Sequence, residues 1–356
     1  MYIKERVVVA MSGGVDSSVA AALLKEQGYE VIGITMCFNF PDSLRNKPAC
    51  CSIQAIDDAR KVAQQLGIKH YVLNMQKAFQ EWVIKDFLKQ YLSGNTPNPC
   101  VLCNQYIKFG ELLKKALALD AKFLATGHYA KIEKKEKYFL KKAKDKNKDQ
   151  SYFLYRLTQN QLKHILFPLG NYTKEEVRGL ARRFKLAVAD KKGSQDICFI
   201  PNADLAGFLK SQLGHDIRPG VILNHKGDIL GQHKGIAFYT IGQRQGLGVA
   251  AGYPLYIAKL DSAKNQIIVG PRKEALKSEF LVENPHFITR LIKKKIVVWV
   301  KIRYNHKPVS AKVQPCVNKL RVIFRKPQFA ITPGQAAVFY QRDKVLGGGV
   351  IEKIIR

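Results

Sequence analysis

The first two hundred residues alternate short apolar runs with segments of helical periodicity. Residues 7–10 and 31–36 are apolar and lack polar alternation, as buried strands do, and residues 19–24 form an apolar helical segment between them. A further strand is predicted at 123–126, after helical patterns that include one from about Gln105 to Leu119. Thr173-Lys174-Glu175-Glu176 is a capping box that predicts the start of another helix. Strands separated by helices form parallel sheets whose ligands bind at the carboxyl ends of the strands. The pattern predicts an α/β fold with a doubly wound parallel sheet.

After about residue 203 the pattern changes. Glycine and proline become frequent, helical periodicity largely disappears, and short β-type runs follow one another at 236–240, 255–257, 266–269, 296–300, 320–324 and 336–340. Short strands at regular spacing are typical of small β domains and barrels. We predict a first domain at 1–202, a small β-rich central domain at 203–278 and a C-terminal β-barrel at 279–356.

A glycine-containing loop joins the first strand to the first helix. Met11-Ser12-Gly13-Gly14-Val15-Asp16-Ser17-Ser18 follows the apolar run directly. The two glycines allow a close backbone approach, and the serine hydroxyls and helix N-terminus add donors and partial positive charge. The lysine-bearing P-loop pattern and the dinucleotide fingerprint are both absent. The loop suits pyrophosphate, and a ligand-free serine and glycine turn is the alternative.

Composition favours a polyanionic partner. The formal net charge is +31, from 59 Lys and Arg against 28 Asp and Glu. Nucleic acid is the first candidate and an acidic membrane surface the second, although scattered lysines could serve solubility alone. No apolar run approaches the length of a membrane span, so we expect no membrane-spanning segment. We predict nucleic acid, and not a membrane, as the partner. The first strand begins too early to leave space for a signal peptide, and the seven cysteines are an odd number. We therefore expect a cytoplasmic protein with reduced thiols.

The segment from Lys131 to Lys148 is dense in lysine and has an apolar break at 138–140. It predicts an exposed β-hairpin or a flexible basic loop. Its charges are either solvated or in contact with RNA.

A second chemical signal is the segment Pro97-Asn98-Pro99-Cys100-Val101-Leu102-Cys103. Two prolines predict an extended loop before a helix, and thiolates near a helix N-terminus are favoured by its dipole. A zinc knuckle is the structural alternative, but it needs a second ligand pair that the sequence does not show. Cys198 is the natural third partner, because it lies in a turn beside Lys191 and Lys192, before a strand-like stretch at 197–200.

The other cysteines carry weaker signals. Cys316 lies alone in a β-rich segment and is expected in the core. Cys37, Cys50 and Cys51 lie in or beside one loop, and the sequence leaves open whether they are ligands or loop residues.

These motifs resemble those of a known family. The loop at 11–18 is similar to the SGGxDSS loop of the ATP pyrophosphatase (PP-loop) superfamily, whose members split ATP into AMP and pyrophosphate. Further blocks, spread along essentially the whole chain, resemble the tRNA-specific 2-thiouridylases of the MnmA type. They are Asn98-Pro99 with Cys103-Asn104 and Ile107-Lys108-Phe109, Ala125-Thr126-Gly127-His128-Tyr129, Lys148-Asp149-Gln150-Ser151-Tyr152-Phe153, Asp196-Ile197-Cys198-Phe199, Thr240-Ile241-Gly242-Gln243-Arg244 and Thr332-Pro333-Gly334-Gln335.

The resemblance implies the replacement of O2 of the tRNA wobble uridine by sulfur. ATP adenylates the poor leaving oxygen, pyrophosphate leaves into the glycine loop, and a sulfur nucleophile expels AMP. Asp16 would orient Mg²⁺ or the phosphates. The implied nucleotide-binding residues are Ala10, Met11, Ser12, Gly13, Gly14, Val15, Asp16, Ser17, Met36 and Gly127.

The resemblance also implies the sulfur and RNA partners. Cys198 would receive a persulfide from a cysteine desulfurase or a sulfur-relay protein, and Cys103 would assist its transfer or release. Asn98, Pro99 and Cys100 would face the flipped-out base of a tRNA for Lys, Glu or Gln. The remaining implied tRNA contacts are His128, Asp149, Gln150, Ser151, Arg303, Tyr304 and Gln335.

One residue departs from the commoner family pattern. Many members have aspartate where this chain has Cys100, so a carboxylate acid or base is missing here. Together, Cys100, Cys103 and Cys198 resemble the cysteines of sulfurtransferases that bind a [4Fe–4S] cluster through three thiolates. A persulfide mechanism and a cluster mechanism are both open on the sequence alone.

Two rival functions remain at this level. Another PP-loop enzyme, such as a small-molecule amidotransferase, an argininosuccinate-type ligase or a cytidine thiolase, would lack this combination of cysteine blocks. A non-catalytic RNA-binding protein with a zinc-held cysteine pair would show no tRNA-dependent formation of AMP.

Overall fold

A computed structural model describes residues 4–38, 53–191, 197–289 and 291–356. The described chain forms two compact units. The first comprises the described residues of 1–83, 100–203 and 343–345, and the second those of 84–99, 204–342 and 346–356. The three predicted domains are a different kind of division, and their boundaries stay predictions.

The strands of the described chain follow one another in this order: β1 (Arg6–Ala10), β2 (Glu30–Cys37), β3 (Lys69–Asn74), β4 (Phe123–Thr126), β5 (Ala130–Lys134), β6 (Tyr138–Lys142), β7 (Ile165–Leu166), β8 (Gly220–Leu223), β9 (Ile229–His233), β10 (Tyr256–Asp261), β11 (Gln266–Gly270), β12 (Leu276–Phe287), β13 (Ile296–Lys301), β14 (Val309–Cys316), β15 (Lys319–Phe329), β16 (Ala336–Gln341) and β17 (Lys344–Ile354).

The α-helices are α1 (Val15–Glu26), α2 (Ile53–Gln65), α3 (Gln76–Phe79), α4 (Lys85–Leu92), α5 (Pro99–Leu102), α6 (Leu113–Ala118), α7 (Gln159–Leu162), α8 (Lys174–Arg183) and α9 (Leu205–Leu213). Two π-helical segments continue α3 and α5, at Gln80–Ile84 and Cys103–Leu112. Short 3₁₀ turns occur at Ser151–Leu154, Pro201–Ala203, Ile236–Phe238 and Arg272–Ala275.

The first unit is built on a five-stranded parallel sheet in the order β3-β2-β1-β4-β7. Val7, Val8 and Val9 of the central strand are fully buried, because helices cover a parallel sheet on both faces. Alanines 20 to 22 let α1 pack closely, and Thr173 with Glu176 forms the predicted capping box of α8. The prediction of a parallel α/β fold is confirmed.

The lysine-dense segment forms a β-hairpin, which is one of the two structures predicted for it. Strands β5 and β6 pair antiparallel, from Ala130 with Lys142 to Lys134 with Tyr138. Lys141 also bonds to the carboxylate of Asp343 at 2.9 Å, within the same unit.

The helix that carries the cysteine pair begins earlier than predicted. It starts at Pro99, and the π-helical segment takes over at Cys103. The prediction of an extended loop up to about Gln105 was wrong, because proline at a first helical position lacks only an N–H that would be unpaired there. Cys100 and Cys103 therefore lie on the helix.

The second unit contains two antiparallel or mixed β structures. The smaller sheet has the order β10-β11-β8-β9, and its core includes Ile222, Ile257, Ile267 and Val269. Strands β12-β15-β14-β13-β16-β17 follow in order, and β12 also pairs with β17. The six strands therefore close into the predicted barrel.

Three local predictions after residue 195 were wrong. Residues 197–200 form a turn, and 236–240 begin with a 3₁₀ turn. Cys316 is exposed instead of buried, because it ends β14 and pairs with Lys319 across a two-residue turn. Side chains at such a turn face solvent.

Within the part of the chain that the structure describes, we find no helix of the length and apolar character that crossing a membrane requires.

Candidate active site

The glycine loop between β1 and α1 is held by its own serines. The backbone N–H of Ser12 donates to Ser17 Oγ at 3.1 Å, and the hydroxyls of Ser17 and Ser18 donate to the Gly14 carbonyl at 3.2 and 2.9 Å. The hydroxyls thus fix the turn. The glycine backbone and the first turn of α1 remain as the surface for an anion.

Two glycines set the shape of this loop. Gly13 has φ +68°, and a Cβ there would lie 2.1 Å from the Ala55 carbonyl oxygen of α2. A Cβ on Gly127, which follows β4, would lie 2.7 Å from the Ser17 nitrogen. The structure therefore brings Gly127 against the loop, where the sequence resemblance places nucleotide.

Asp16 accepts two hydrogen bonds from distant parts of the chain. Tyr129 Oη donates to its Oδ1 at 2.8 Å, and Lys174 Nζ donates to the same oxygen at 2.6 Å. Lys191 Nζ reaches the neighbouring Gly13 carbonyl at 2.9 Å and the Asp58 carboxylate at 2.6 Å. Two lysines therefore flank the glycine loop.

Sequence reasoning missed these cationic partners of the loop. In the sequence, Lys174 stands in a capping box, and Lys191 stands in the segment before Cys198. The sequence shows only that each is a lysine at a helix start or in a loop, and many residues of this chain have the same context. Only the fold pairs Lys174 with a residue 158 positions earlier.

The end of β2 lies beside the loop. Thr35 Oγ1 donates to the Met11 carbonyl at 2.8 Å and lies 2.9 Å from His70 Nε2. Ala10 ends β1, Val15 begins α1, and Met36 is half-buried at the penultimate position of β2. Cys37 is half-buried at the end of β2, whereas Cys50, Cys51, Lys192 and Asp196 lie outside the described residues.

The turn at Asp149-Gln150-Ser151 supports Tyr129. The Tyr129 N–H donates to Gln150 Oε1 at 3.0 Å, and the Gln150 N–H donates to the Tyr129 carbonyl at 2.8 Å. Asp149 is buried and accepts hydrogen bonds from the Ser151 hydroxyl and the Ala143 N–H. These side chains brace the residue that holds Asp16. A direct contact of Asp149, Gln150 or Ser151 with tRNA stays a prediction.

His128 is buried below the same strand end, with only 8% of its surface exposed. Its Nδ1 lies 2.7 Å from Thr126 Oγ1, and the rings of Phe109 and Phe167 pack around it. Burial, and then the positive charge of Lys108, hold the pKa of His128 well below its ordinary value. A neutral internal imidazole results, and its predicted contact with tRNA stays untested.

The three cysteines converge in the first unit. Burial first, and then the Cys198 thiol, raise the pKa of Cys100 to about 11, against the lowering influence of Lys108. Burial raises the pKa of Cys103 to about 12, against the lowering influence of Lys108, and Cys198 and Cys100 again raise it. The predicted stabilisation of thiolates by the helix N-terminus is therefore outweighed by burial, and both thiols are protonated at neutral pH.

The same thiols do not form a ready metal site. Across the described ranges, no three His, Cys, Asp or Glu side chains are arranged to hold a metal ion. The donor set is all thiol, which suits zinc or iron chemically.

In the second unit, two residues predicted to contact tRNA donate hydrogen bonds to backbone carbonyls. Gln335 Nε2 donates to the Thr96 carbonyl at 2.8 Å and to the Pro97 carbonyl at 3.3 Å. Arg303 Nη2 donates to the Ile241 carbonyl at 2.9 Å and also contacts Thr332 Oγ1. Gln335 thereby fixes the segment that leads into Asn98 and Pro99.

Tyr304 completes this part of the site. Lys301 Nζ lies 5.1 Å from the centre of its ring, which is a cation–π contact. Contacts of Asn98, Pro99, Arg303, Tyr304 and Gln335 with tRNA stay predictions.

Family models match three consecutive stretches of the chain. Residues 5–202 match a tRNA methyl transferase HUP domain, residues 206–271 a tRNA methyl transferase PRC-barrel domain, and residues 277–351 an aminomethyltransferase beta-barrel domain. A parallel sheet with a serine and glycine loop before its first helix defines the class, which is that of PP-loop ATP-using enzymes.

Full-length relatives narrow this class. A tRNA-specific 2-thiouridylase MnmA 1 from Caldanaerobacter subterraneus subsp. tengcongensis is 52% identical over 100% of both chains. A tRNA-specific 2-thiouridylase MnmA from Natranaerobius thermophilus is 50% identical over 99% of both. Among solved structures, a 4-thiouridine synthetase–RNA complex with bound ATP has a TM-score of 0.39 and 16% identity, over 60% of this chain and 51% of that one. The similarity to this solved structure carries no argument about the chain.

The chain belongs to the tRNA-specific 2-thiouridylase family. It is accordingly a sulfurtransferase that carries out ATP-dependent thiolation of uridine in tRNA. This membership excludes both rival functions, the metabolite ligase and the non-catalytic RNA-binding protein.

Proposed function

We propose that this enzyme thiolates C2 of the wobble uridine and carries the sulfur as a persulfide on Cys198. The observation that supports the proposal most directly is the convergence of Cys198 with Cys100 and Cys103. All three belong to the unit that also contains the glycine loop. Activation by ATP and delivery of sulfur therefore share one compact part of the chain.

The first step makes a leaving group. Uridine O2 attacks the α-phosphorus of ATP, an O–P bond forms, and the bond to pyrophosphate breaks. Pyrophosphate leaves against the backbone of Gly13 and Gly14, with Lys174 and Lys191 beside it. Charge-assisted contacts of this kind are stronger than neutral hydrogen bonds.

The second step transfers sulfur. The terminal sulfur of the Cys198 persulfide attacks C2, and AMP leaves with the former O2. The Cys103 sulfur then attacks Cys198 Sγ, so that a Cys103–Cys198 disulfide forms and the sulfur remains on C2. A thiol reductant returns the disulfide to two thiols, which balances the two electrons.

Deprotonation of the Cys103 thiol is the demanding part of this reaction. The pKa of Cys103 is raised to about 12 mainly by burial, so that its thiol must lose a proton before it attacks. Lys108 is the group that lowers this pKa, and we assign to it the stabilisation of the thiolate. No carboxylate stands at position 100 to assist.

Mg²⁺ fits the loop chemically. Asp16 presents a carboxylate at the anion site, and hard oxygen ligands together with substrate phosphates are what Mg²⁺ prefers. When bound, the ion would neutralise phosphate charge. Asp16 is the residue that would hold it.

A [4Fe–4S] cluster is the alternative sulfur carrier, and it requires all three thiolates as ligands. The described arrangement does not preorganise them. The persulfide uses Cys198 and Cys103 and leaves position 100 free to vary. The alternatives therefore differ in what a carboxylate at position 100 should do.

The proposal extends to partners and location. A cysteine desulfurase or sulfur-relay protein supplies the persulfide, and tRNAs for Lys, Glu and Gln are the substrates, in the cytoplasm. The net charge of +31 supports a large polyanionic substrate. Asn98 and Pro99, held by Gln335, would face the extruded base.

Mass spectrometry of tRNA nucleosides tests the proposal, after incubation with ATP, a cysteine desulfurase and cysteine. Wild type should form 2-thiouridine, Cys103→Ser and Cys198→Ser should form none, and Cys316→Ser at the exposed turn should match wild type. Full activity in Cys198→Ser would refute the persulfide route.

The variant Cys100→Asp separates the two sulfur carriers. The persulfide route predicts that this variant stays active, because aspartate is the commoner family residue. Cluster ligation predicts a colourless and inactive variant alongside a brown, anaerobically reconstituted wild type.

A further inference from the structure

Trp82 forms an exposed aromatic stack in the first unit. Its indole lies over the Tyr106 ring, with ring centres 4.4 Å apart and an angle of 16° between the planes. Tyr106 covers one side of the indole, yet 46% of Trp82 remains exposed. One face of a large, flat ring is therefore open to a third ring.

The stack is connected to both sulfur-bearing segments. Tyr106 lies three residues after Cys103 in the π-helical segment Cys103–Leu112. Phe79, one helical turn before Trp82, packs edge-on against Phe199 at 5.6 Å, and Phe199 follows Cys198 directly. The stack therefore lies on the elements that bring the cysteines together.

We infer that the open face of Trp82 stacks an unpaired base of the tRNA anticodon loop, next to the uridine that is thiolated. The inference rests on the proposed function. Extrusion of the target uridine removes a stacking partner from its neighbour, and an aromatic side chain can replace it. Stacking on an indole is tolerant of base identity, so that the site adds affinity without sequence readout.

The surroundings favour RNA over a protein partner. Glu81, the neighbour of Trp82 in the chain, is exposed, so a charged side chain borders the stack. Protein interfaces centre on several buried apolar residues that exclude water. An exposed flat ring beside a charged side chain, on a chain of net charge +31, suits a single base of a polyanion.

Fluorescence tests the inference directly, because Trp82 and Trp299 are the two tryptophans of the sequence. The variant Trp299→Phe leaves Trp82 as the sole reporter. Titration with an anticodon stem-loop RNA of a wobble-uridine tRNA should quench it. The same RNA with an abasic site on one side of the target uridine should bind without the full quenching. If the full quenching persists both with an abasic site on the 5′ side of the target uridine and with one on its 3′ side, the inference is overturned.

Affinity provides the second measurement. Trp82→Ala should weaken binding of the stem-loop by about tenfold, within the range for losing one base stack, whereas Trp82→Phe should retain most of the affinity. Tyr71→Ala removes a ring that is 48% exposed on β3 and should leave the affinity unchanged. Equal losses in Trp82→Ala and Trp82→Phe, or none in either, would contradict stacking.

Two outcomes separate this inference from the proposed function and from a protein partner. Thiolation of tRNA with no change in Trp82 fluorescence would overturn the stacking alone, whereas quenching without thiolation would overturn the proposed function alone. Normal RNA affinity in Trp82→Ala, with loss of only desulfurase-dependent thiolation, would reassign the surface to the sulfur donor.

Discussion

Lys174 Nζ lies 2.6 Å from Asp16 Oδ1, although the two residues are 158 positions apart. The lysine is mostly buried and starts α8, and the aspartate is in the first turn of α1. Their pairing places a positive charge at the glycine loop. We therefore expect Lys174 to take part in nucleotide binding even though no motif indicates it.

Lys174→Met should raise the KM for ATP by about tenfold or more in tRNA-dependent AMP formation. A hydrogen bond to a charged group contributes about 1.5–3 kcal/mol, and about 1.4 kcal/mol corresponds to tenfold. Lys163→Met, at an exposed lysine after α7, is the matched control and should behave as wild type. An unchanged KM in Lys174→Met would remove the lysine from the site.

Gly127→Ala should abolish ATP use. The added Cβ would lie 2.7 Å from the Ser17 nitrogen and 2.8 Å from the Asp16 carbonyl carbon, so the loop or β4 must move. Gly179→Ala in α8 meets nothing within 4 Å and should raise stability by up to about 1 kcal/mol. Nucleotide binding and thermal unfolding distinguish the two variants. Normal ATP turnover in Gly127→Ala would show that the loop tolerates displacement.

Alkylation of Cys103 should be slow at neutral pH and should accelerate about tenfold per pH unit between pH 7 and 9. Its pKa of about 12 lies far above this window, so the thiolate fraction rises in proportion to hydroxide. Mass spectrometry of iodoacetamide-treated protein measures the rate at each cysteine. A plateau below pH 9 would contradict the raised pKa.

Lys108→Met should slow the same alkylation, because Lys108 lowers the pKa of both Cys100 and Cys103. Lys108→Arg should preserve most of the rate. Lys114→Met, which breaks an exposed ion pair with Glu111 on the same helix, is the control. Faster alkylation in Lys108→Met would reverse the assigned role of this lysine.

Gln335→Glu should impair thiolation by raising the KM for tRNA while ATP binding stays normal. The substitution keeps the size of the side chain but replaces the donor to Thr96 and Pro97 by an oxygen that repels their carbonyls. A change of roughly tenfold is expected for the lost hydrogen bond. Gln341→Glu at the exposed end of β16 should have no effect. Equal KM values in the two variants would argue against a positioning role.

Local pattern predicts the scaffold well and the contacts poorly. The valines of β1 and the capping box at Thr173 depend on neighbours in sequence, and both were predicted. The pairing of Lys174 with Asp16 depends on how α8 packs beside α1, which no local period encodes. The fold class could therefore be predicted, whereas the cations of the nucleotide site could not.

The cysteines show a second limit of prediction from the sequence. Their spacing indicated a reactive site, but their protonation depends on burial that spacing does not report. Cys316 illustrates the converse, because an apolar β-type context predicted burial where a two-residue turn exposes the side chain. The direction of a side chain at a strand end is set by the turn that follows.

The bracing of Tyr129 by Gln150 has a consequence for genetics. A screen that scores loss of the modified nucleoside would recover substitutions at Asp149, Gln150 and Ser151 and would group them with RNA-contact alleles, because they lie beside a basic hairpin. Their hydrogen bonds lead instead through Tyr129 to Asp16. Such alleles should be sorted by their ATP phenotype, and an excess of nucleotide, rather than of tRNA, should suppress them.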